Sequence, residues 1–186
     1  MKTSAMHGES GYERVANDAY WTPEWCTAAL LESERFPPWV WEPACGQGHI
    51  CRVMDTFLIS NHGSDLIFHG YGQGGEDFLR RTSMWTWCRS IITNPPYKLA
   101  EAFIRKALDL TEPHQGRVAM LLRNEYDCAA GRRDLFEHPA FLKKLVLTKR
   151  PKWSAEDKAS PRHNFAWFVW CWKKPPGAPP VMEWGP

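Results

Sequence analysis

The chain has 186 residues, of which 44% are hydrophobic, and a formal net charge of +2 at pH 7. This length and composition predict one globular domain with a sizeable core and exclude wholesale disorder. The six cysteines form no CxxC pair, which argues against a zinc site and a disulfide framework and suits a reducing compartment. No apolar signal segment or membrane-length apolar run is present, so we expect a cytoplasmic protein with no metal and no membrane partner.

Segments typical of helices and strands alternate along most of the chain. A first helix is expected after Thr22-Pro23, because threonine can cap a helix and proline suits its first turn. The remaining helices are predicted over 49–59 and 98–110, and the strands at 40–41, before Asp65, and at 91–93, 117–122, 145–147 and 165–172. The apolar periods also assign Trp39, Trp41, Trp167, Phe168 and Trp170 to the core.

This alternation predicts an α/β fold with a mostly parallel, doubly wound sheet. The last two predicted strands have no crossover helix between them, so we expect an antiparallel C-terminal hairpin at the edge of the sheet, with a long basic loop. Residues 1–18 are expected to be flexible, residues 19–174 to form the single domain, and the proline-rich tail 175–186 to be extended or disordered.

The segment EPACGQGHI follows the first predicted strand, where open α/β sheets bind their ligands. Gly46 and Gly48 allow positive φ, and the helix start behind them supplies unpaired N–H groups. Glu42 adds a negative charge that repels a pyrophosphate but suits an ammonium or a sulfonium. The segment matches neither GxGxxG nor a P-loop, and a GxG alone can be merely a turn.

Two acidic residues extend this candidate site. Asp65 ends the second predicted strand, where an acid can accept hydrogen bonds from ribose hydroxyls. Asp77 beside Phe78 could hold an adenine by its amine and its face, although either acid could instead cap a turn. A nucleoside with an amino-acid end and a positive sulfur satisfies these features, and S-adenosylmethionine is such a molecule.

The segment Asn94-Pro95-Pro96-Tyr97 follows the central predicted strand. The Asn94 side-chain oxygen and the Pro95 carbonyl are two acceptors, held rigidly by adjacent prolines, that could grip both hydrogens of one NH₂ group. Tyr97 could stack on a base. A rigid turn without chemistry is the alternative, and it becomes less attractive downstream of a glycine loop and two acids.

These motifs together resemble the small phage-type DNA adenine N6-methyltransferases, which are class I S-adenosylmethionine-dependent amino-methyltransferases. YWTPEW looks like their N-terminal motif, EPACGQGHI like their cofactor loop, SDL and EDF like their second and third motifs, and NPPY like their catalytic motif. The resemblance covers about residues 20–172 and implies a Rossmann-like fold. It implies Asn94, Pro95, Pro96 and Tyr97 as catalytic residues. The implied cofactor residues are Trp21, Thr22, Pro23, Glu42, Pro43, Ala44, Cys45, Gly46, Gly48, Asp65, Asp77, Phe78 and Asn94.

The partner implied by the resemblance is double-stranded DNA with a flipped adenine. Residues 143–162 contain seven basic and two acidic side chains, although such a run can also be a solvated face. No segment fits a separate target-recognition domain, so we expect short or relaxed specificity. The side chains expected to contact nucleic acid are Arg123, Arg132, Arg133, Lys149, Arg150, Lys152, Trp153 and Arg162.

Three alternatives remain open from the sequence. NPPY grips any planar NH₂ group, so RNA adenine or a protein glutamine amide could be the substrate. The chain could also be a non-catalytic subunit that binds nucleic acid or cofactor, although such a subunit should have lost part of NPPY or the glycine loop.

Overall fold

The computed structural model describes residues 21–153 and 161–186, so the segment predicted to be flexible, 1–18, lies outside the described residues. The strands of the described chain are Val40–Glu42 (β1), Asn61–Gly63 (β2), Ser90–Thr93 (β3), Arg117–Arg123 (β4), Phe141–Leu147 (β5), Phe165–Cys171 (β6) and Val181–Gly185 (β7). They form one seven-stranded sheet in the order β2-β1-β3-β4-β6-β5-β7. The α-helices are Glu24–Ser33 (α1), His49–Thr56 (α2), Ala100–Thr111 (α3) and Arg133–Phe136 (α4).

Strand directions confirm the predicted α/β class with a mostly parallel sheet. β1 pairs in parallel with β2 and β3, β3 with β4, and β5 with β7, whereas β6 is antiparallel to both β4 and β5. The antiparallel pairing therefore lies near the C-terminal end of the chain, as predicted. The β5–β6 hairpin is not at the edge of the sheet, because β7 pairs with the outer side of β5.

Strand β7 lies within the segment that the sequence assigns to an extended or disordered tail. Lys143 on β5 is 8% exposed, and its Nζ donates to Glu183 Oε1 at 2.9 Å and lies 3.3 Å from Glu34 Oε2. Ser33 at the end of α1 donates through its hydroxyl to Glu183 Oε2 at 2.6 Å. This polar network, together with the β5 pairing, attaches residues 181–185 to the sheet and to α1.

Both faces of the sheet are covered, which explains why β6 is buried along its whole length. One face packs against α3, and the other against α1 and α2. The indole N–H of Trp167 donates to Cys26 O at 2.7 Å and that of Trp170 donates to Leu135 O at 2.9 Å, so neither buried ring loses its hydrogen bond. Trp39 was expected in the core, but it is 44% exposed with a φ of 66°.

The carboxyl ends of the parallel strands define one edge of the sheet, here called the carboxyl edge. Glu42, Thr93 and Arg123 end β1, β3 and β4 there. Because β6 runs in the opposite direction, its first residue, Phe165, pairs with Arg123 and lies at the same edge. The glycine loop and NPPY therefore begin at the carboxyl edge, and the basic loop ends there. In residues 21–153 and 161–186, no helix combines the length and apolar character that crossing a membrane requires.

Candidate functional site

The glycine loop is fixed to the end of β2 by its backbone. Gly46 and Gly48 have φ of 51° and 81°, the left-handed region that favours glycine. Gly46 N donates to Asp65 Oδ2 at 2.9 Å, and Cys45 N donates to Ser64 O at 2.9 Å. Asp65 therefore orders the loop in this structure, and its second oxygen accepts from Ile67 N at 3.2 Å. The two glycines adopt the backbone conformation that the sequence predicts for them.

Two aromatic rings lie against these glycines. A Cβ at Gly46 would stand 2.6 Å from the Trp21 ring, and a Cβ at Gly48 would stand 2.4 Å from Cγ of Tyr71. The absence of a side chain at these two glycines therefore leaves the space that the rings occupy. Sequence reasoning placed Trp21 here and missed Tyr71, which lies in the glycine-rich stretch 69–76.

Trp21 covers the outer side of the loop. Its ring stacks on His49 with a centroid distance of 5.7 Å and meets the edge of His69 at 5.7 Å. The next residues do not form the predicted helix cap, because Pro23 is the N-cap of α1 and the helix has no side-chain cap hydrogen bond. The hydroxyl of Thr22 instead accepts a hydrogen bond from Asn94 Nδ2 at 3.2 Å.

Glu42 is a buried acid at the centre of this arrangement, with an exposed fraction of 1%. Burial raises its pKa well above the usual range, and the negative charge of Asp65 raises the pKa further. The hydroxyl of Thr93 and the backbone N–H of Asn94 lie beside the carboxyl and oppose this shift more weakly. Among the described residues, no donor reaches either carboxyl oxygen with ordinary hydrogen-bond geometry. The site thus contains a buried carboxyl group suited to a cationic ligand group.

Asp77 and Phe78 differ from their predicted roles. Asp77 Oδ1 accepts from Leu79 N at 3.0 Å, which is the turn-capping alternative, and its Oδ2 lies 3.4 Å from Arg80 Nε. The Phe78 ring is 2% exposed and packs on Trp41 and Phe103 at 5.2 and 4.8 Å. The ring belongs to the core, so it offers no face to an adenine in this structure.

The NPPY segment lies beside the glycine loop. Thr93 ends β3, which pairs with β1, and Asn94 is half-buried directly after it. Pro96 has φ −54° and ψ 123° and precedes a 3₁₀ turn over Tyr97–Leu99. The Tyr97 ring lies 6.0 Å from the ring of Phe165. The segment therefore leaves β3 at the carboxyl edge, where the neighbouring strand β1 ends with Glu42.

The base of the basic loop 148–164 is adjacent to Tyr97. The edge of the Trp153 ring packs on Phe165 with a centroid distance of 4.8 Å. Arg150 Nε donates to Asn164 Oδ1 at 2.9 Å and its guanidinium also reaches Pro161 O at 3.3 Å, so Arg150 connects the two ends of the loop. Among the described residues of this region, Arg123, Lys149, Lys152 and Arg162 are basic side chains that are exposed, as is Arg150.

Arg132 and Arg133, which are also expected to contact nucleic acid, interact with residues of their own segment. The Arg132 guanidinium stacks 3.8 Å from the centroid of Tyr126, and Arg133 pairs with Glu137 at 2.6 Å. Leu135, two residues further on, accepts from the indole of Trp170, which pairs with Val118 near the amino end of β4. The segment after β4 thus runs back along the sheet, and the structure does not group Arg132 and Arg133 with the basic loop. Within the part of the chain that the structure describes, no three His, Cys, Asp or Glu side chains are grouped as metal ligands.

No protein-family model and no curated protein sequence matches the chain. Several solved structures match its fold. A protein from Listeria monocytogenes assigned as a class I S-adenosylmethionine-dependent methyltransferase matches with a TM-score of 0.63 at 12% identity, over 94% of this chain and 67% of that one. A protein from Pyrococcus horikoshii assigned as an RNA methyltransferase matches with a TM-score of 0.61 at 14% identity, over 87% of this chain and 90% of that one.

The type I restriction enzyme EcoKI M protein matches with a TM-score of 0.56 at 15% identity, over 82% of this chain and 44% of that one. The chain has the Rossmann-like fold of the class I methyltransferases. At these identities the likeness concerns the fold, so the chemistry rests on the site itself.

We predict that Gly48→Ala destabilises the protein by about 2–4 kcal/mol, because a left-handed backbone and a clash with the Tyr71 ring both act against alanine. In a Tyr71→Ala background only the backbone part should remain, about 1–2 kcal/mol. Urea unfolding of the four proteins in this cycle measures both. Gly131→Ala is the control, because a Cβ there meets nothing within 4 Å. An equal cost of Gly48→Ala in both backgrounds would contradict the packing of Tyr71 on Gly48.

Proposed function

We propose that the chain is an S-adenosylmethionine-dependent methyltransferase that transfers a methyl group to the N6 amine of adenine in DNA, with short or relaxed sequence specificity. One observation carries the proposal: Glu42 and the glycine loop lie directly beside Asn94 at the carboxyl edge, because β1 and β3 pair in parallel. A ligand on the first element is then within reach of a substrate on the second.

The cofactor fits the donor set of this chain. The buried carboxyl of Glu42 finds no donor of ordinary geometry among the described residues, and an ammonium or sulfonium would supply the missing positive charge. Trp21 beside Gly46 would cover the amino-acid end, and Asp65 would face the ribose. The Phe78 ring is not part of this set, because it is buried in the core.

The proposed chemistry assigns distinct roles to the NPPY residues. When bound, the cofactor supplies an electrophilic methyl group on a positive sulfur. The Asn94 side-chain oxygen and the Pro95 carbonyl accept hydrogen bonds from the two amine hydrogens, which favours the pyramidal nitrogen of the transition state. Tyr97 stacks on the base, a contact worth about 1–3 kcal/mol. The residues therefore contribute mainly by positioning.

A nucleic-acid substrate is supported by the exposed basic side chains at the carboxyl edge. Arg123, Lys149, Lys152 and Arg162 surround the base of the loop that contacts Tyr97 through Trp153 and Phe165. These cations would neutralise phosphates while Trp153 stacks or wedges beside a flipped adenine. We propose double-stranded DNA because Asn before PPY is the usual adenine signature of the family that the sequence resembles.

The experiment that tests the proposal offers tritiated cofactor with unmethylated duplex DNA, RNA or a glutamine-containing protein. We expect transfer to adenine in DNA, and we expect Asn94→Ala to lower it by at least about 100-fold, because one of the two acceptors is lost. Cofactor binding to the variant, measured by calorimetry, should persist. Preferred transfer to RNA or protein would replace the proposed substrate, and full activity of Asn94→Ala would end the catalytic assignment.

The proposal also predicts a pH dependence of cofactor binding. A cationic ligand prefers the ionised form of Glu42, whose pKa is raised in the free protein. The affinity for S-adenosylmethionine should therefore rise with pH through that raised pKa and fall below it. Calorimetry between about pH 5 and 6.5 keeps the α-amino group of the ligand protonated. Glu42→Gln should bind more weakly at the upper end and show a flat profile. A profile identical to that of the unmodified protein would exclude Glu42 as the cause.

Phosphate contacts at the carboxyl edge predict a specific salt dependence. Lys152→Ala should lower the slope of log K against log salt for duplex DNA by about one, because one counterion-releasing contact is lost. Arg133→Ala removes the same charge from a side chain paired with Glu137 and distant from the basic loop, so it should leave the slope unchanged. Fluorescence anisotropy over a salt series measures both. Equal slopes for the two variants would place the nucleic acid elsewhere.

A further inference from the structure

The hydroxyl of Thr22 contacts the amide of Asn94 and does not cap a helix. Thr22 is 4% exposed, and its Oγ1 accepts from Asn94 Nδ2 at 3.2 Å across 72 positions of sequence. Helix α1 begins after Pro23 without a side-chain cap. Threonine is a common helix cap, but at this position its hydroxyl makes a tertiary hydrogen bond and does not cap the helix.

This contact constrains the group that the proposed reaction uses. A side-chain amide has a donor side and an acceptor side, and fixing the nitrogen also fixes the direction of the oxygen. A hydrogen bond donated by the NH₂ side polarises the amide and strengthens its oxygen as an acceptor.

We propose that Thr22 is a positioning residue for methyl transfer: its hydroxyl orients the Asn94 amide so that the oxygen faces the substrate amine. This inference rests on the proposed function and deepens it. Trp21 precedes Thr22 and lies against Gly46, so one short segment contacts both the glycine loop and the catalytic amide. Ordering of that segment by a ligand would order the amide at the same time.

Two other roles for Thr22 predict different effects of removing its hydroxyl on kcat. As a cofactor ligand, the role that the family resemblance implies, Thr22 would change cofactor affinity and leave kcat at saturation unchanged. As a donor to the Asn94 oxygen, the hydroxyl would compete with the substrate amine, and its removal would raise kcat.

The test replaces Thr22 with valine, which keeps the shape, and with serine, which keeps the hydroxyl. We expect Thr22→Val to lower kcat by about tenfold, the effect of one lost hydrogen bond with some loss of orientation, while the cofactor Kd changes little. Thr22→Ser should recover most of kcat. Thr27→Val, at a buried threonine within α1, is the matched control and should keep kcat. Thermal melting identifies any variant that fails to fold.

A second readout does not depend on activity. The side-chain NH₂ signals of Asn94, assigned by their loss in Asn94→Ala, should shift in Thr22→Val and stay in place in Thr22→Ser. An unchanged kcat with weaker cofactor binding, a raised kcat, or unshifted NH₂ signals in Thr22→Val would each overturn the positioning role. If the unmodified protein transfers no methyl group, the proposed function fails. If Asn94→Ala keeps full transfer, only the catalytic assignment of Asn94 fails, and the NMR shift would then report a hydrogen bond without a catalytic consequence.

Discussion

The parallel pairing of β1 with β3 is the constraint on which the site depends. Val40 pairs with Ser90 and Trp41 with Ile91, so Glu42 and Thr93 end the two strands at nearly the same level. The glycine loop and Asn94 then leave the sheet side by side, and the buried carboxyl of Glu42 faces the backbone of Asn94. A shift of this register by one residue would turn Glu42 to the opposite face and separate the two elements.

The reversed direction of β6 brings the basic loop to the same place. A strand parallel to β4 in that position would begin at the amino end and leave the loop far from NPPY. Because β6 is antiparallel, Phe165 lies at the carboxyl edge and contacts both Tyr97 and Trp153. Arg150 then closes the base of the loop by donating to Asn164 Oδ1 and Pro161 O. One strand direction thus decides where a polyanion could approach.

The sequence predicts the class of fold and the contents of the carboxyl edge, because apolar periods and the residues after each strand are local signals. It does not predict side-chain direction or long-range pairing. Phe78 is apolar in either role, and only the position of Trp41 and Phe103 makes it core. Strand β7 lies in a proline-rich segment and depends on Lys143, 40 positions away. Arg132 and Arg133 follow β4 closely in sequence, but the chain turns back before it reaches them.

Glu42 shows how local instability and ligand binding are related in such a site. Ionising a buried carboxyl that no donor of the described residues reaches with ordinary geometry costs free energy in the free protein, and burial raises its pKa for the same reason. A cation that binds beside the carboxylate removes this cost, and the difference contributes to the binding free energy. The buried carboxyl that is unfavourable in the free protein is therefore the group that, in the proposed function, would recognise a cationic ligand.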